Sequence, residues 1–278
     1  MMSNVENGIF RYLMLSQMQG FGSVTQGKLI RLCGGIEACF EWPLEQMMEK
    51  TRAMRQPERI SDKRLQTFCT LRTDGFLKQK AETIMDQSRN AGIDIITRED
   101  PQYPLRFSGI TDMPMVLYIK GQLCINAYER SAAVIGARRC TKEDKQEAII
   151  ITKTEVTGNS AIISGMAKGI DSYAHTAALK SGGYTIAVLG NGPDHCYPAE
   201  HRYLYEQIMD RGCILSEYPP QIKPRNYMFP QRNRLIAALS DIIYVIGAGR
   251  NSGTETTVEA GQKYGREIVT QSSWGTVE

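Results

Sequence analysis

The 278-residue chain predicts an α/β fold, a mostly parallel sheet with helices on both faces, preceded by a small all-α domain. Three observations lead there. From about residue 130 onward, short β-branched runs alternate with amphipathic helical stretches, the pattern of parallel strands joined by helical crossovers. Residues 1 to about 90 have few such runs and read as helices. Between residues 161 and 189 a strand, a glycine loop, a helix and a second strand follow in succession, forming one complete βαβ unit.

The strands of the sheet are expected at 132–135, 161–164, 185–189, 213–217, 242–246 and 267–270. Right-handed crossovers put the loop after each strand on one edge. A bridge over residues 93–121 holds a strand at 93–97, the proline-rich turn DPQYPLRF and a strand at 115–120, and is expected to extend the sheet. The expected division is a helical domain over 1–85 and a sheet domain over 86–278. In the helical part, helices at 10–16 and 24–33 flank the turn Gln19-Gly20-Phe21-Gly22-Ser23. That is the helix-hairpin-helix pattern, whose turn N–H groups can meet a DNA phosphate without reading a base. A plain αα-hairpin needs the same glycines for its turn alone.

Composition narrows the function classes. With 42% hydrophobic and 23% charged residues the chain matches an ordinary globular protein. No apolar run is long enough to span a membrane, and the N-terminus lacks the pattern of a secretory signal. Seven cysteines at 33, 39, 69, 124, 140, 196 and 213 form no CxxC pair, which predicts reduced thiols in the cytoplasm rather than disulfides or a zinc site. A net charge of +3 is small, so the distribution of charge matters more than its sum.

That distribution is informative. The loop Gly165-Met166-Ala167-Lys168-Gly169 ends a strand and opens a helix, and places free backbone N–H groups at a helix N-terminus. The other loops of the same edge carry Arg138 and Arg139; Lys223, Arg225, Arg232 and Arg234, in a long loop over 218–234; and a glycine-rich stretch over 247–254 that includes Arg250. Asp171 is an exception on an edge otherwise poor in carboxylates, and suits the helix dipole. Basic residues gathered by topology onto one edge are best explained by a string of phosphates.

Enzyme readings fare worse. The segment Gly136-Ala137-Arg138-Arg139 does not match GxGxxG, and no acid follows at the distance that would hold a ribose. There is no GxxxxGK[ST] and no GxSxG. His195, Cys196, His201 and Asp194 fit no common metal spacing. His175 reads as a packed or phosphate-neighbouring histidine. No catalytic residue, metal or cofactor is expected.

The motifs SGMAKGID, SEYPP, FPQRNRLIAALSD, SGT and GRE, together with DPQYPLRFSGITDMPMVLYIKG, make the chain similar to the DNA-processing protein A family, also called Smf. The resemblance implies a SAM-like or helix-hairpin-helix domain followed by an extended Rossmann-like domain. It implies single-stranded DNA binding, a homodimer through the Rossmann-like domain, RecA loading in natural transformation or recombination, and no established catalysis. By position it assigns Arg138 to the family's basic loop, and Ser164, Gly165, Lys168 and Gly169 to its SG.A.GID loop. Phe229, Arg232, Asn233 and Arg234 fall on its FP.RNR segment. Tyr197, Tyr227 and Phe229 are candidates for base stacking. The sequence departs from the family in Gly-Ala-Arg at 136–138, in Glu255-Thr256-Thr257 after SGT, and in the closing IVTQSSW; a C-terminal winged helix is not expected. A rival reading is a nucleotide hydrolase of the phosphoribohydrolase type, whose PGGxGTxxE motif has its glutamate where this chain has Thr257, with Glu259 two positions later.

Overall fold

The computed structural model describes residues 3–247 and 253–271, and the chain divides into two compact units. The first takes in residues up to Ala91 together with Ile95–Asp100 and Thr111–Leu117. Its helices are α1 (Asn4–Gln17), α2 (Ser23–Cys33), α3 (Ile36–Glu41), α4 (Leu44–Ala53), α5 (Asp62–Leu71) and α6 (Gly75–Asn90). Helix α1 starts six residues earlier than the periodicity suggests because Ser3 and Glu6 form a capping box, with Glu6 N donating to Ser3 Oγ at 3.2 Å and Ser3 N donating to Glu6 Oε2 at 2.9 Å. The α1–α2 turn has Gly20 at φ +80°, where a side chain is strained. The buried Gln26 amide locks that turn by donating to Leu15 O and Phe21 O. The Phe21 N–H is itself bonded to Met18 O, so it is not available to a phosphate.

The second unit holds Gly92–Asp94, Pro101–Ile110 and the chain from Tyr118 onward. The strands of the chain are β1 (Asp94–Thr97) and β2 (Val116–Gly121), whose residues are divided between the two units, and, in the second unit, β3 (Arg130–Gly136), β4 (Ser160–Ser164), β5 (Thr185–Leu189), β6 (Cys213–Ser216), β7 (Ile242–Ile246) and β8 (Glu267–Thr270). The helices between them are α7 (Lys142–Thr157), α8 (Ile170–Lys180), α9 (Arg202–Arg211), α10 (Met228–Leu239) and α11 (Glu255–Lys263). The sheet order is β1-β2-β6-β5-β4-β3-β7-β8. Pairs from β6 to β8 are parallel, and β2 runs antiparallel to β6. Strands β4 and β5 are buried at every position, as expected of parallel strands covered on both faces.

The order positions the site. From β3 the chain winds outward through β4, β5 and β6, then returns to the other side of β3 as β7. The strand order therefore reverses at the β3–β7 pair, and open α/β sheets bind their ligands beside such a switch point. The backbones come close here: Ala137 N donates to Ile246 O at 3.0 Å, and a Cβ on Gly136 would collide with that same carbonyl.

One expectation needs correction. The stretch 218–234 is not all loop, because α10 begins at Met228 and puts Arg232, Asn233 and Arg234 on a helix. Pro230 disguised the start. In the first turn of a helix proline is tolerated, since the N–H it lacks has no intrahelical partner there.

Candidate nucleic-acid interface

A cavity of about 520 Å³ opens at the reversal point, lined by Gly136, Ala137 and Arg138 after β3, Ala167 and Asp171 from the β4–α8 segment, and Tyr197. Asn226, Phe229, Arg232 and Asn233 line it from α10 and the residues before it, and Gly253, Thr254 and Thr257 from the β7–α11 side. Topology thus brings five separated sequence segments to one place.

The glycine loop is built tightly around internal partners. Ser164 Oγ donates to Val134 O at 2.8 Å inside the sheet, so this fully buried hydroxyl is engaged there. Gly165 N and Ala167 N both donate to Asp171 Oδ2, at 3.1 and 3.3 Å. The carboxylate of Asp171 therefore occupies part of the anion-binding position that the loop was expected to offer a phosphate. Burial pushes its carboxyl above the usual range, against the opposing pull of Arg232 and of the two N–H groups. Gly169 sits at φ +77°, and its backbone lies so close to Ala137 and Arg138 that a Cβ would strike their carbonyls. The loop after β3 and the start of α8 are locked together by Ile170 N donating to Ala137 O at 3.2 Å.

The predicted cations separate into two groups. Arg232 is buried; its Nη1 donates to Gly165 O at 2.9 Å and to Val188 O, and its Nε donates to Asn233 Oδ1 at 3.0 Å. Burial lowers its pKa to about 10, with Asp171 opposing. It is a strut between the glycine loop and β5 rather than an exposed backbone contact. Arg234 Nη2 lies 2.6 Å from Glu217 Oε2 in a mostly buried pair, and Lys168 Nζ lies 2.8 Å from Glu200 Oε1. Asn233 Nδ2 holds the β7–α11 segment through Gly253 O and Thr256 Oγ1, both at 2.9 Å. Arg138, Arg139, Lys223 and Arg225 are exposed and have no ion-pair partner among the described residues. Arg250, Asn251 and Ser252 lie outside the described residues, as do 272–274 of the closing segment.

At the cavity mouth Tyr197 and Phe229 stack with ring centroids 5.4 Å apart and planes 29° apart. Tyr197 is 47% exposed, so its ring is half in solvent and half on Phe229. A Cβ on Gly190 would lie 2.9 Å from Phe229 Cδ1, which shows that the glycine makes room for that ring. Tyr227 is exposed beside the cavity-lining Asn226.

The other candidates resolve structurally. Among the described residues no His, Cys, Asp or Glu cluster could hold a metal ion. Asp194 accepts from Gln221 N at 2.9 and 3.0 Å. His175 is fully buried, and burial drops its pKa to about 3, so its ring is neutral. Its tautomer follows from its partner: Thr185 Oγ1 donates to Ile162 O, leaving it to accept from His175 Nδ1–H at 2.7 Å. Thr257 lines the cavity at the position of the phosphoribohydrolase glutamate, and Glu259 is exposed and does not line it. Among the described residues, no helix is long and apolar enough to cross a membrane.

Sequence reasoning missed Glu200 and Glu217, which pair with the cations, and the cavity-lining Asn226, and it gave Asp171 to the helix dipole rather than to the loop N–H groups. Nothing local marks Glu200 or Glu217 as partners, since each lies 17 or more positions from its cation.

Residues 94–276 match the family model for DNA recombination-mediator protein A. The DNA processing protein DprA of Bacillus subtilis (strain 168) is 34% identical over 189 residues, 68% of this chain and 64% of that protein. DNA processing protein DprA of Streptococcus pneumoniae is 38% identical over 169 residues, 61% of this chain and 59% of that protein. The chain spans between about half and two thirds of the length of these curated relatives. The X-ray structure of DprA from Streptococcus pneumoniae superposes with a TM-score of 0.74 at 28% identity, covering 97% of this chain and 86% of that one. DNA processing protein A from Helicobacter pylori, described for its single-stranded DNA binding mode, gives a TM-score of 0.59 at 30% identity over 65% of this chain and 81% of that one. The family match spans the whole sheet and the helices that build the cavity, and the chain belongs to the DNA recombination-mediator protein A family.

Proposed function

We propose that the protein binds single-stranded DNA without catalysing a reaction on it, and that the cavity at the β3–β7 reversal is where the strand is gripped. The observation that carries this reading is the mouth of that cavity. An exposed Arg138 with no internal counter-ion stands at a rim that also carries the half-exposed Tyr197–Phe229 stack. A guanidinium beside an aromatic platform suits a strand, because the phosphate meets the charge and the base meets the ring whatever its sequence. The Helicobacter pylori relative, described by its single-stranded DNA binding mode, supports the same ligand class.

The loop N–H groups contribute less than the sequence implied. With Gly165 and Ala167 held by Asp171, the phosphate contact falls to Arg138, to Lys168 once it leaves Glu200, and to the N–H groups of Lys168 and Gly169. Lys223, Arg225 and Arg139 extend the field on either side. By family resemblance the protein acts as a homodimer through its second unit and hands the strand to RecA in the cytoplasm, in transformation or recombination. Seven free thiols suit a reducing compartment.

Fluorescence anisotropy with a labelled oligothymidine tests the core of this. Arg138→Ala weakens binding by about tenfold and lowers the salt slope by about 0.7, the value for one phosphate on a single strand. Equal affinity and equal slope for the variant and the natural protein overturn the assignment.

A further inference from the structure

In the first turns of α7, Asp144 and Glu147 fall on one side of the helix and Lys142 and Lys145 on another. Asp144 and Glu147 both accept from Gln271 Nε2, at 2.8 and 2.6 Å, and Asp144 also closes the capping box with Thr141. These acids are thereby drawn toward the end of β8. Lys142 and Lys145, one turn apart, fall on the other side of the helix. There Lys145 Nζ stands 4.7 Å from the centroid of the Tyr173 ring on α8.

The two arginines that precede α7 continue this line. Arg138 and Arg139 leave β3 directly against the start of α8, where the Arg138 carbonyl packs on Gly169. Arg139, Lys142 and Lys145 are all exposed, and none has an ion-pair partner among the described residues. The contrast with the motif cations is the informative point. Lys168 and Arg234 face carboxylates and Arg232 is enclosed, so the uncompensated positive charge on this side of the cavity lies along α7.

We propose that Arg139, Lys142 and Lys145, steadied by Tyr173, form a second stretch of interface that carries a single strand from the cavity mouth across the α7–α8 pair. The inference rests on the cavity reading, since the second stretch starts at Arg139, next to the cavity-lining Arg138. The cation–π contact holds the Lys145 ammonium in place before any ligand arrives, which reduces the entropy lost when a phosphate binds it. With Asp144 and Glu147 engaged by Gln271, a phosphate chain here meets less repulsion from them, and the exposed Glu143 stands about 100° round the helix from Lys142. Such contacts carry no base information and lengthen the site.

The test compares oligothymidines of about 6 and about 20 nucleotides, which bracket a short and an extended single-strand site. Anisotropy titrations of the full chain are run at several salt concentrations. The expected result for Lys142→Ala/Lys145→Ala is unchanged affinity for the short oligonucleotide and a several-fold loss for the long one. The salt slope for the long one falls by about 1.4, two phosphates at about 0.7 each. Lys142→Arg/Lys145→Arg keeps the natural behaviour, which separates charge loss from any disturbance of the helix. Unchanged binding to both lengths, or an equal loss on both, overturns the second stretch. Arg138→Ala separates the two readings: it weakens both lengths if the cavity grips the strand. If Arg138→Ala has no effect while the double lysine variant still weakens the long oligonucleotide, the ridge stands and the cavity assignment falls.

Discussion

Lys168 and Glu200 face each other across 2.8 Å, and both side chains are more than half exposed, at 55% and 56%. The loop cation that the sequence offers to a phosphate is thus already held by a carboxylate from the segment before α9. An exposed pair of this kind is weak, on the order of 0 to 1 kcal/mol, so a phosphate can displace the carboxylate. Glu200→Gln therefore tightens single-stranded DNA binding by about two- to fivefold at low salt, and the gain shrinks as salt rises. Anisotropy titrations at two ionic strengths check this. Unaltered affinity at both would show that Lys168 does not touch the strand.

Arg232 is expected to matter for stability first. Its guanidinium joins Gly165 O, Val188 O and Asn233 Oδ1 in a buried setting. Removing it leaves those acceptors and the Asp171 carboxylate without their cation, a loss of about 3–5 kcal/mol for a broken buried charge network. Urea unfolding of Arg232→Ala measures this as a lower midpoint at unchanged slope. Lysine is not a substitute, because an ammonium cannot reproduce the planar fork.

Gly169→Ala tests the close approach of two loops. At φ +77°, with the Ala137 and Arg138 carbonyls against the missing Cβ, any side chain must strain the backbone and push the β3 loop away. A destabilisation of about 1–3 kcal/mol is expected. The same shift displaces Arg138, so DNA affinity falls together with the unfolding midpoint. A fall in only one of the two would separate the loops that the structure joins.

His175 provides a pH signature. Its folded pKa of about 3 lies below the ordinary value of 6.5, so the unfolded chain binds a proton that the folded chain refuses. The stability this group supports is present above pH 6.5 and is lost progressively as pH falls toward 3, at a limiting rate of about 1.4 kcal/mol per pH unit. His175→Gln, which does not titrate yet keeps an N–H for Thr185, makes the acid limb of the stability curve shallower between pH 6 and 4, by up to about 1.4 kcal/mol per pH unit. Urea midpoints across that range measure the difference.

Much of the architecture was legible because the relevant signals are local. The run Ala161-Ile162-Ile163 stops at Ser164-Gly165, and a strand followed by a glycine turn and an alternating helical pattern needs no tertiary information to be recognised. The six strands expected over 132–270 all appear in the sheet within a residue or two. The edge loops follow from handedness alone. By contrast, the start of α10 was hidden by Pro230, whose helix-breaking character disappears in a first turn.

Residue types and their order along the chain were enough to establish the α/β class and the family, and to point to the sheet edge proposed as the site. Which of the basic residues keep their charge free was settled only by folding. Lys168 meets Glu200, Arg234 meets Glu217, and Asp171 turns back onto its own loop, whereas Arg138, Arg139 and Lys145 meet no acid among the described residues. A side chain's charge is a property of its type. Whether that charge is neutralised depends on what lies within a few ångströms, and the carboxylates that pair with Arg234 and Lys168 lie 17 and 32 positions away along the chain.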